Sequence, residues 1–375
     1  MECLEGGERA RYSVAVLDDE EKKLLSSCGM FVRDTRFGEN YVRTIEVAGV
    51  RTPPEYRRHG YCGELMKKMH NAAPELGAAV SMLHPFSFEF YRKYGYEKIA
   101  DKIAVTMPMT ALSFLPKMPD MQPYNDGMLP ALTEFFEEFS KGRNTMCRRF
   151  DNEYFSPSNG HFFRAQGGQI NTYVLYRGEK ITGYVIYSPL THYDKINHNI
   201  SDGLYVYEIG FLDRKSLFDV LGFLRMYEGE LDSVIFHDIA PVPELNSVFR
   251  YYAQNSYKII PDTGARILDS MAMLRLVKYP KEAGKFTLEI EDDIENVAGI
   301  YHIEYENGRG EITKCRDGIK PDIIMPERSF VKFLYGAEDY NAKNAEYLEG
   351  IRLENDAYDF FRAFPKQTCG AFEFF

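Results

Sequence analysis

Apolar and polar positions alternate along Tyr12–Leu17, Leu24–Val32 and Tyr41–Val50, which predicts three strands of an antiparallel meander. The acidic run Asp18-Asp19-Glu20-Glu21 turns the chain after the first, and Phe37-Gly38-Glu39-Asn40 splits the next two. The period then changes. Cys62, Leu65, Met66 and Met69 fall at helical spacing, and Pro74 and Gly77 are expected to end that helix. Ala79–Leu83 reads as a buried strand and Phe86–Tyr94 as an aromatic helix. The order is that of an α/β unit over residues 1–110.

A second unit, 111–278, has a similar rhythm. Glu134–Ser140 reads as a helix, and Thr172–Arg177 and Ile181–Tyr187 form a hairpin across Gly178-Glu179. Tyr205–Leu212 is a strand, Leu217, Phe218, Leu221 and Leu224 make a helical stripe, and Ser233–His237 is another strand. This predicts an internal structural duplication. Past Tyr279-Pro280-Lys281 the character shifts. Phe286–Glu291 and Tyr301–Tyr305 alternate, Asn307-Gly308 marks a type I′ turn, and Pro326–Tyr335 is an amphipathic helix, giving a third unit over 279–375. The fold class is α/β (α+β).

Composition narrows the function. The chain has 375 residues, 45% hydrophobic and 14% aromatic, enough for packed cores. A net charge of −11 disfavours nucleic acid as a partner and suits a cationic substrate. No apolar run is long enough for a membrane span, and Met1–Arg11 lacks the order of a secretory signal, so a cytoplasmic location is expected. Cys3, Cys28, Cys62, Cys147, Cys315 and Cys369 form no CxxC pair and read as thiols. The scattered histidines suggest no metal.

The chemistry lies in Val50–Gly63. A strand runs into a tight loop and the loop opens a helix. Gly60 permits the turn, the first helical amides lack internal partners, and Arg57 and Arg58 add positive charge. A pyrophosphate suits such a place.

The spacing Arg57-x-x-Gly60-x-Cys62-Gly63 resembles the acetyl-coenzyme A signature of the GCN5-related N-acetyltransferases (GNAT). Phe90-Tyr91-Arg92-Lys93-Tyr94-Gly95-Tyr96-Glu97 looks like the last core motif of that family. Together with Leu83–Tyr91 and a tail ending in Phe, the chain resembles the Eis (enhanced intracellular survival) acetyltransferases. The resemblance implies tandem GNAT folds, the second degenerate, followed by a sterol-carrier-protein-like domain. It implies acetyl-CoA as cosubstrate, no metal, and a homo-oligomer, commonly a hexamer. Val50, Arg51 and Thr52 match the strand that pairs with the pantetheine arm. Arg57, Arg58, His59, Gly60, Tyr61, Cys62 and Gly63 match the phosphate cradle, and Phe86 and Ser87 match strand-exit positions that touch the cofactor. Tyr91 matches the general acid. The terminal carboxylate on Phe375 matches the group that receives the amine proton. It could instead bind the ammonium and pass its proton through water.

Two departures stand out. Cys62 occupies a position where glycine or alanine is usual. Only about fifty residues precede the cradle, too few for the family's opening strand and two helices, which predicts either a start internal to a longer protein or an unusually open acceptor pocket. The expected activity is N-acetyl transfer to primary amines of a cationic small molecule, such as an aminoglycoside or polyamine, or to lysine side chains, by direct attack in a ternary complex. A cysteine ping-pong route through Cys62 is disfavoured. The alternative is a non-catalytic acyl-CoA- or lipid-binding protein with a degenerate core. A transferase using another acyl-CoA shares the same cradle.

Overall fold

The computed structural model describes residues 2–5, 10–18, 20, 22–150, 154–156, 169–194, 199–248, 255–316, 318–341, 343–355 and 357–372. The first unit contains strands β1 (Glu2–Glu5), β2 (Ala10–Leu17), β3 (Leu24–Phe37) and β4 (Asn40–Arg51), then helices α1 (Tyr61–Asn71) and α2 (Ala73–Leu76). It continues with β5 (Val80–Leu83), α3 (Phe88–Arg92) and β6 (Glu97–Pro108). The second contains β7 (Gln122–Pro123), α4 (Leu129–Phe139), β8 (Arg143–Asn144), β9 (Asn171–Arg177), β10 (Lys180–Asp194) and β11 (Asn199–Phe211). After these come α5 (Arg214–Leu224), β12 (Ser233–Ile239), β13 (Ser256–Ile267) and α6 (Ser270–Leu276). The third holds β14 (Gly284–Glu291), β15 (Gly299–Glu306), β16 (Arg309–Lys314), β17 (Ile323–Pro326), α7 (Glu327–Leu334), β18 (Arg352–Leu353), α8 (Tyr358–Ala363) and β19 (Thr368–Cys369).

The expected meander is present. Glu2–Glu5 adds a strand before it, and four positions separate β1 from β2. Pro74 does not stop the helix. It sits in the first turn of α2, where a missing N–H costs nothing, and Gly77 with φ +64° ends that turn. In the third unit Asn307 and Gly308 both have positive φ, as a type I′ hairpin requires.

The first two units share one twelve-stranded sheet in the order β1-β2-β3-β4-β5-β13-β6-β12-β11-β10-β9-β7. Strand β13 has no counterpart in the sequence reading. It enters between β5 and β6 and pairs antiparallel with both, Gly264 opposite Leu83 and Ile259 opposite Ile103. On its other edge β6 pairs with β12, so one strand belongs to both units. Helix α1 covers one sheet face with Leu65, Met66 and Met69, which pack on Val14, Met30, Ile45 and Val47. Each such side chain removed from water contributes about 1.5–3 kcal/mol. The third unit is a five-stranded sheet, β16-β15-β14-β17-β18, covered by α7 and α8. Its interior is filled by rings: Phe360 lies 4.9 Å from Phe364 and 5.0 Å from Phe333.

The chain is therefore a mixed α/β protein, with two units that share a sheet and an additional α/β unit. In the second unit the corresponding helix end carries its own side-chain cap. The Asp213 carboxylate caps α5, accepting from the Ser216 amide at 2.7 Å, and the same bond holds its pKa below the usual range. An anion already occupies that helix end.

A buried ion pair organises the second core. Arg149 donates to both Glu208 oxygens at 2.5 and 2.9 Å, and Tyr184 donates to the same carboxylate. Arg149→Met removes one partner and leaves a buried charge. We expect a loss of about 3–5 kcal/mol in equilibrium urea unfolding, with part of it recovered in the double variant carrying Glu208→Gln.

Candidate active site

The sheet opens where β4 and β5 part. The two strands pair in parallel from Thr44–Val80 to Val47–Leu83, and there the ladder stops. Strand β4 runs on through Arg51 along β3, with one extra residue inserted between the pairs Gly29–Ala48 and Ser27–Arg51. Gly49, at φ +60°, sits in this bulge, a backbone state that glycine adopts without strain. The bulge leaves the edge of Ala48–Thr52 that faces β5 without a strand, so it can pair with an extended ligand. Ser26 steadies this stretch. Its hydroxyl donates to the Arg51 carbonyl at 3.2 Å and lies 3.0 Å from the Thr52 hydroxyl.

The loop after β4 is also strained for a purpose. Arg58 has φ +65° and Gly60 has φ +87°. Arg57 is exposed but folds back on the strand. Its Nε donates to the Thr52 carbonyl at 3.2 Å, which ties the loop to the strand. His59 donates to the Arg57 carbonyl at 2.8 Å and stacks on Tyr61. Helix α1 has no side-chain cap, and its first internal bond runs from the Glu64 amide to Gly60. The amides of Tyr61, Cys62 and Gly63 therefore point out at the positive end of the helix dipole. A Cβ built on Gly60 would meet open space, and one on Gly63 would touch the Tyr94 ring at 3.4 Å. This arrangement fits a pyrophosphate over Gly60, as the sequence spacing implies, with Arg58 beside it.

Tyr91 stands on the α1 side of the opening. It is buried against Phe90 at 5.1 Å and Phe86 at 5.7 Å. Among the described residues its hydroxyl makes no hydrogen bond, and burial pushes its pKa up to about 12. It is a protonated donor across the neutral range. Ser87 caps α3 by accepting from the Phe90 amide at 3.3 Å, so its hydroxyl orients the Tyr91 helix. Phe86 is 79% exposed at the mouth of the opening. Burial raises the Cys62 thiol pKa, which counts against a thiolate nucleophile. Val50, Tyr61, Cys62 and Tyr91 thus pack in one cluster, Arg57 is tied to Thr52, and Phe86 and Ser87 flank the Tyr91 helix. Phe375 lies outside the described residues. Among these residues no cluster of His, Cys, Asp or Glu forms a metal site.

Residues 7–99 match the acetyltransferase (GNAT) domain family. The chain carries a GNAT acetyltransferase domain. No curated protein matches the sequence. Solved structures match along nearly all of it. A GCN5-related N-acetyltransferase from Anabaena variabilis superposes with TM-score 0.80 at 16% identity, over 96% of this chain and 89% of its own. A protein of unknown function from Enterococcus faecalis, described as a probable N-acyltransferase, gives TM-score 0.80 at 21% identity, over 98% and 90%. Eis1 from Mycobacterium abscessus gives 0.75 at 13% identity, over 99% and 91%. At these identities the likeness is one of fold, and that fold is Eis-like.

Sequence reading of the GNAT domain missed two features. Gly49 inside an alternating run is a bulge signal that passed unread. Asp262 of β13 meets His84, the residue after β5, at 3.1 Å, and no local pattern points there.

The cradle yields a test. Gly60→Val forces a β-branched residue into a left-handed turn and should abolish acetyl-CoA binding in calorimetry while circular dichroism stays unchanged. Arg58→Ala should weaken binding by about tenfold to hundredfold, the range for one charge-assisted hydrogen bond. Unchanged affinity in both variants refutes the cradle.

Proposed function

We propose that the protein is an acetyl-CoA-dependent N-acetyltransferase acting on primary amines of a cationic small molecule, aminoglycoside- or polyamine-like, or of lysine side chains. The observation that carries this reading is the joining of an uncapped, glycine-turned α1 with an open β4 edge and a protonated Tyr91. Acetyl-CoA supplies an activated acyl group. The α1 amides and Arg58 hold its phosphates, the free edge of Ala48–Thr52 aligns the arm, and Tyr91 gives a proton to the departing sulfur. Attack is direct, in a ternary complex. By the family resemblance, the Phe375 carboxylate receives the amine proton, or binds the ammonium and passes its proton through water. The tail runs parallel to Arg143-Asn144, with the Gly370 amide on the Asn144 carbonyl at 3.1 Å, and buries Phe372 against Phe139. The units divide at 110 and 278, with β13 crossing back into the first. We also propose a cytoplasmic homo-oligomer and a sterol-carrier-like ancestry for the third unit.

The reading is tested by following coenzyme A release with spermine, an aminoglycoside and a lysine peptide. Release with none of the three refutes it, and binding without transfer favours a non-catalytic acyl-CoA-binding role. Tyr91→Phe should lower kcat by about 10²–10⁴-fold with acetyl-CoA affinity retained. With the Tyr91 pKa raised to about 12, the wild type should show no loss of rate from Tyr91 ionisation below pH ~11. Two residues added after Phe375 should lower kcat and leave acetyl-CoA affinity unchanged.

A further inference from the structure

The turn that ends α3 is held from two sides. From within, the Tyr94 and Tyr96 amides both donate to the Tyr91 carbonyl, at 2.9 and 3.2 Å, and the Gly95 amide donates to the Arg92 carbonyl at 3.1 Å. Gly95 has φ +85°, a left-handed state that closes the turn. Space excludes a side chain there as well, because a Cβ on Gly95 would collide with the Arg266 guanidinium. Arg266 comes from β13, opposite Ser81 of β5, and its Nη1 donates to the Tyr94 carbonyl.

The turn faces the cradle. The Tyr94 ring is the surface that a Cβ on Gly63 would touch at 3.4 Å. Phe90 packs on the same ring at 5.6 Å. Burial, and then the Cys62 thiol beside it, push the Tyr94 pKa up to about 12, so the ring is neutral across the working range. Cys62 and Gly63 carry two of the outward-pointing amides of α1. Where those amides stand over a phosphate is therefore set by where Tyr94 stands.

The third unit in turn holds Arg266. Its Nη2 donates to Asp292 at 2.8 Å and to Asp293 at 2.7 Å, both on the connection between β14 and β15. The Arg266 and Asp292 side chains are 6% and 9% exposed. Asp292 is itself fixed, since the same oxygen accepts from the Ile294 amide at 2.8 Å. A planar guanidinium can fork between a carbonyl on one side and carboxylates on the other, which an ammonium cannot do.

We propose that Arg266 is a positioning residue for the acetyl-CoA cradle, acting through the Tyr94–Gly95 turn, and that the third unit takes part in cofactor binding by supplying Asp292 and Asp293 to hold it. This rests on the acetyl-CoA reading above and extends it to residues that do not touch the cofactor. The contacts run from Asp292 to Arg266, from Arg266 to the Tyr94 carbonyl, and from the Tyr94 ring to Gly63.

Calorimetry with acetyl-CoA is the test, because it needs no turnover. Tyr94→Ala removes a half-buried ring, and the variant should fold. Its acetyl-CoA Kd should rise by about tenfold, the worth of one weakened charge-assisted hydrogen bond. Arg266→Lys should raise the Kd to a similar extent and leave the KM for spermine at its wild-type value, which a general loosening of the fold would not do. In the Tyr94→Ala background Arg266→Lys should add less than about twofold, since both act through one contact. Asp292→Asn combined with Asp293→Asn should weaken binding in the same direction. A Kd within about twofold of wild type for Tyr94→Ala or for Arg266→Lys overturns the proposal, and so do fully additive losses in the double variant. If Arg266→Lys fails to fold, Tyr94→Ala and the paired Asp variant decide. An unchanged Kd in the paired Asp variant overturns the part given to the third unit. Failure of the wild type to bind acetyl-CoA overturns the acetyltransfer reading and this proposal with it, whereas wild-type binding with unaltered variants overturns this proposal alone.

Discussion

Everything at the cleft depends on β4 and β5 ceasing to pair after Val47 and Leu83. A parallel pair that stayed zipped would satisfy its own backbone and leave nothing for a ligand. Two local devices keep the strands apart. Gly49 shifts β4 by a residue and sends its free edge along the opening. Strand β13 fills the far side of β5, so β5 is held without needing β4 along its full length. The gap is therefore a stable feature of a continuous sheet.

The same insertion binds the units together. Because β13 comes from the second unit and β6 pairs with β12, neither of the first two cores is complete alone. The third unit attaches through β13 as well. The Ile267 amide donates to Glu327 of α7 at 2.6 Å, and Arg266 reaches Asp292 and Asp293 at 2.8 and 2.7 Å. Asn144 makes a further junction, accepting from the Gly38 amide at 2.7 Å and donating to the Tyr335 carbonyl at 3.1 Å. Chemistry in the first unit thus rests on backbone drawn from the whole chain.

The two GNAT-type units differ at the cap of the helix that follows the central strand. Both have a strand, a turn and a helix. In the first, glycine at the helix cap leaves three amides unclaimed. In the second, aspartate claims one with its own side chain. One residue type at one position decides whether the helix end can take an external anion.

Local features of this kind were legible in the sequence. The meander, the α1 stripe, the Asn307-Gly308 hairpin and the Arg57–Gly63 spacing follow from periodicity, turn chemistry and a short motif, all encoded within a few residues. What tertiary structure alone decided is which distant segments meet. Residues 256–267 include Tyr257, Lys258 and Pro261 in a mixed pattern, and nothing in them specifies β5 and β6 as neighbours. Strand pairing is chosen by the global packing of faces, since backbone hydrogen bonds are the same for any partner. For that reason nothing local to His84 or Asp262, 178 positions apart in the chain, announces that the sheet places them 3.1 Å from each other.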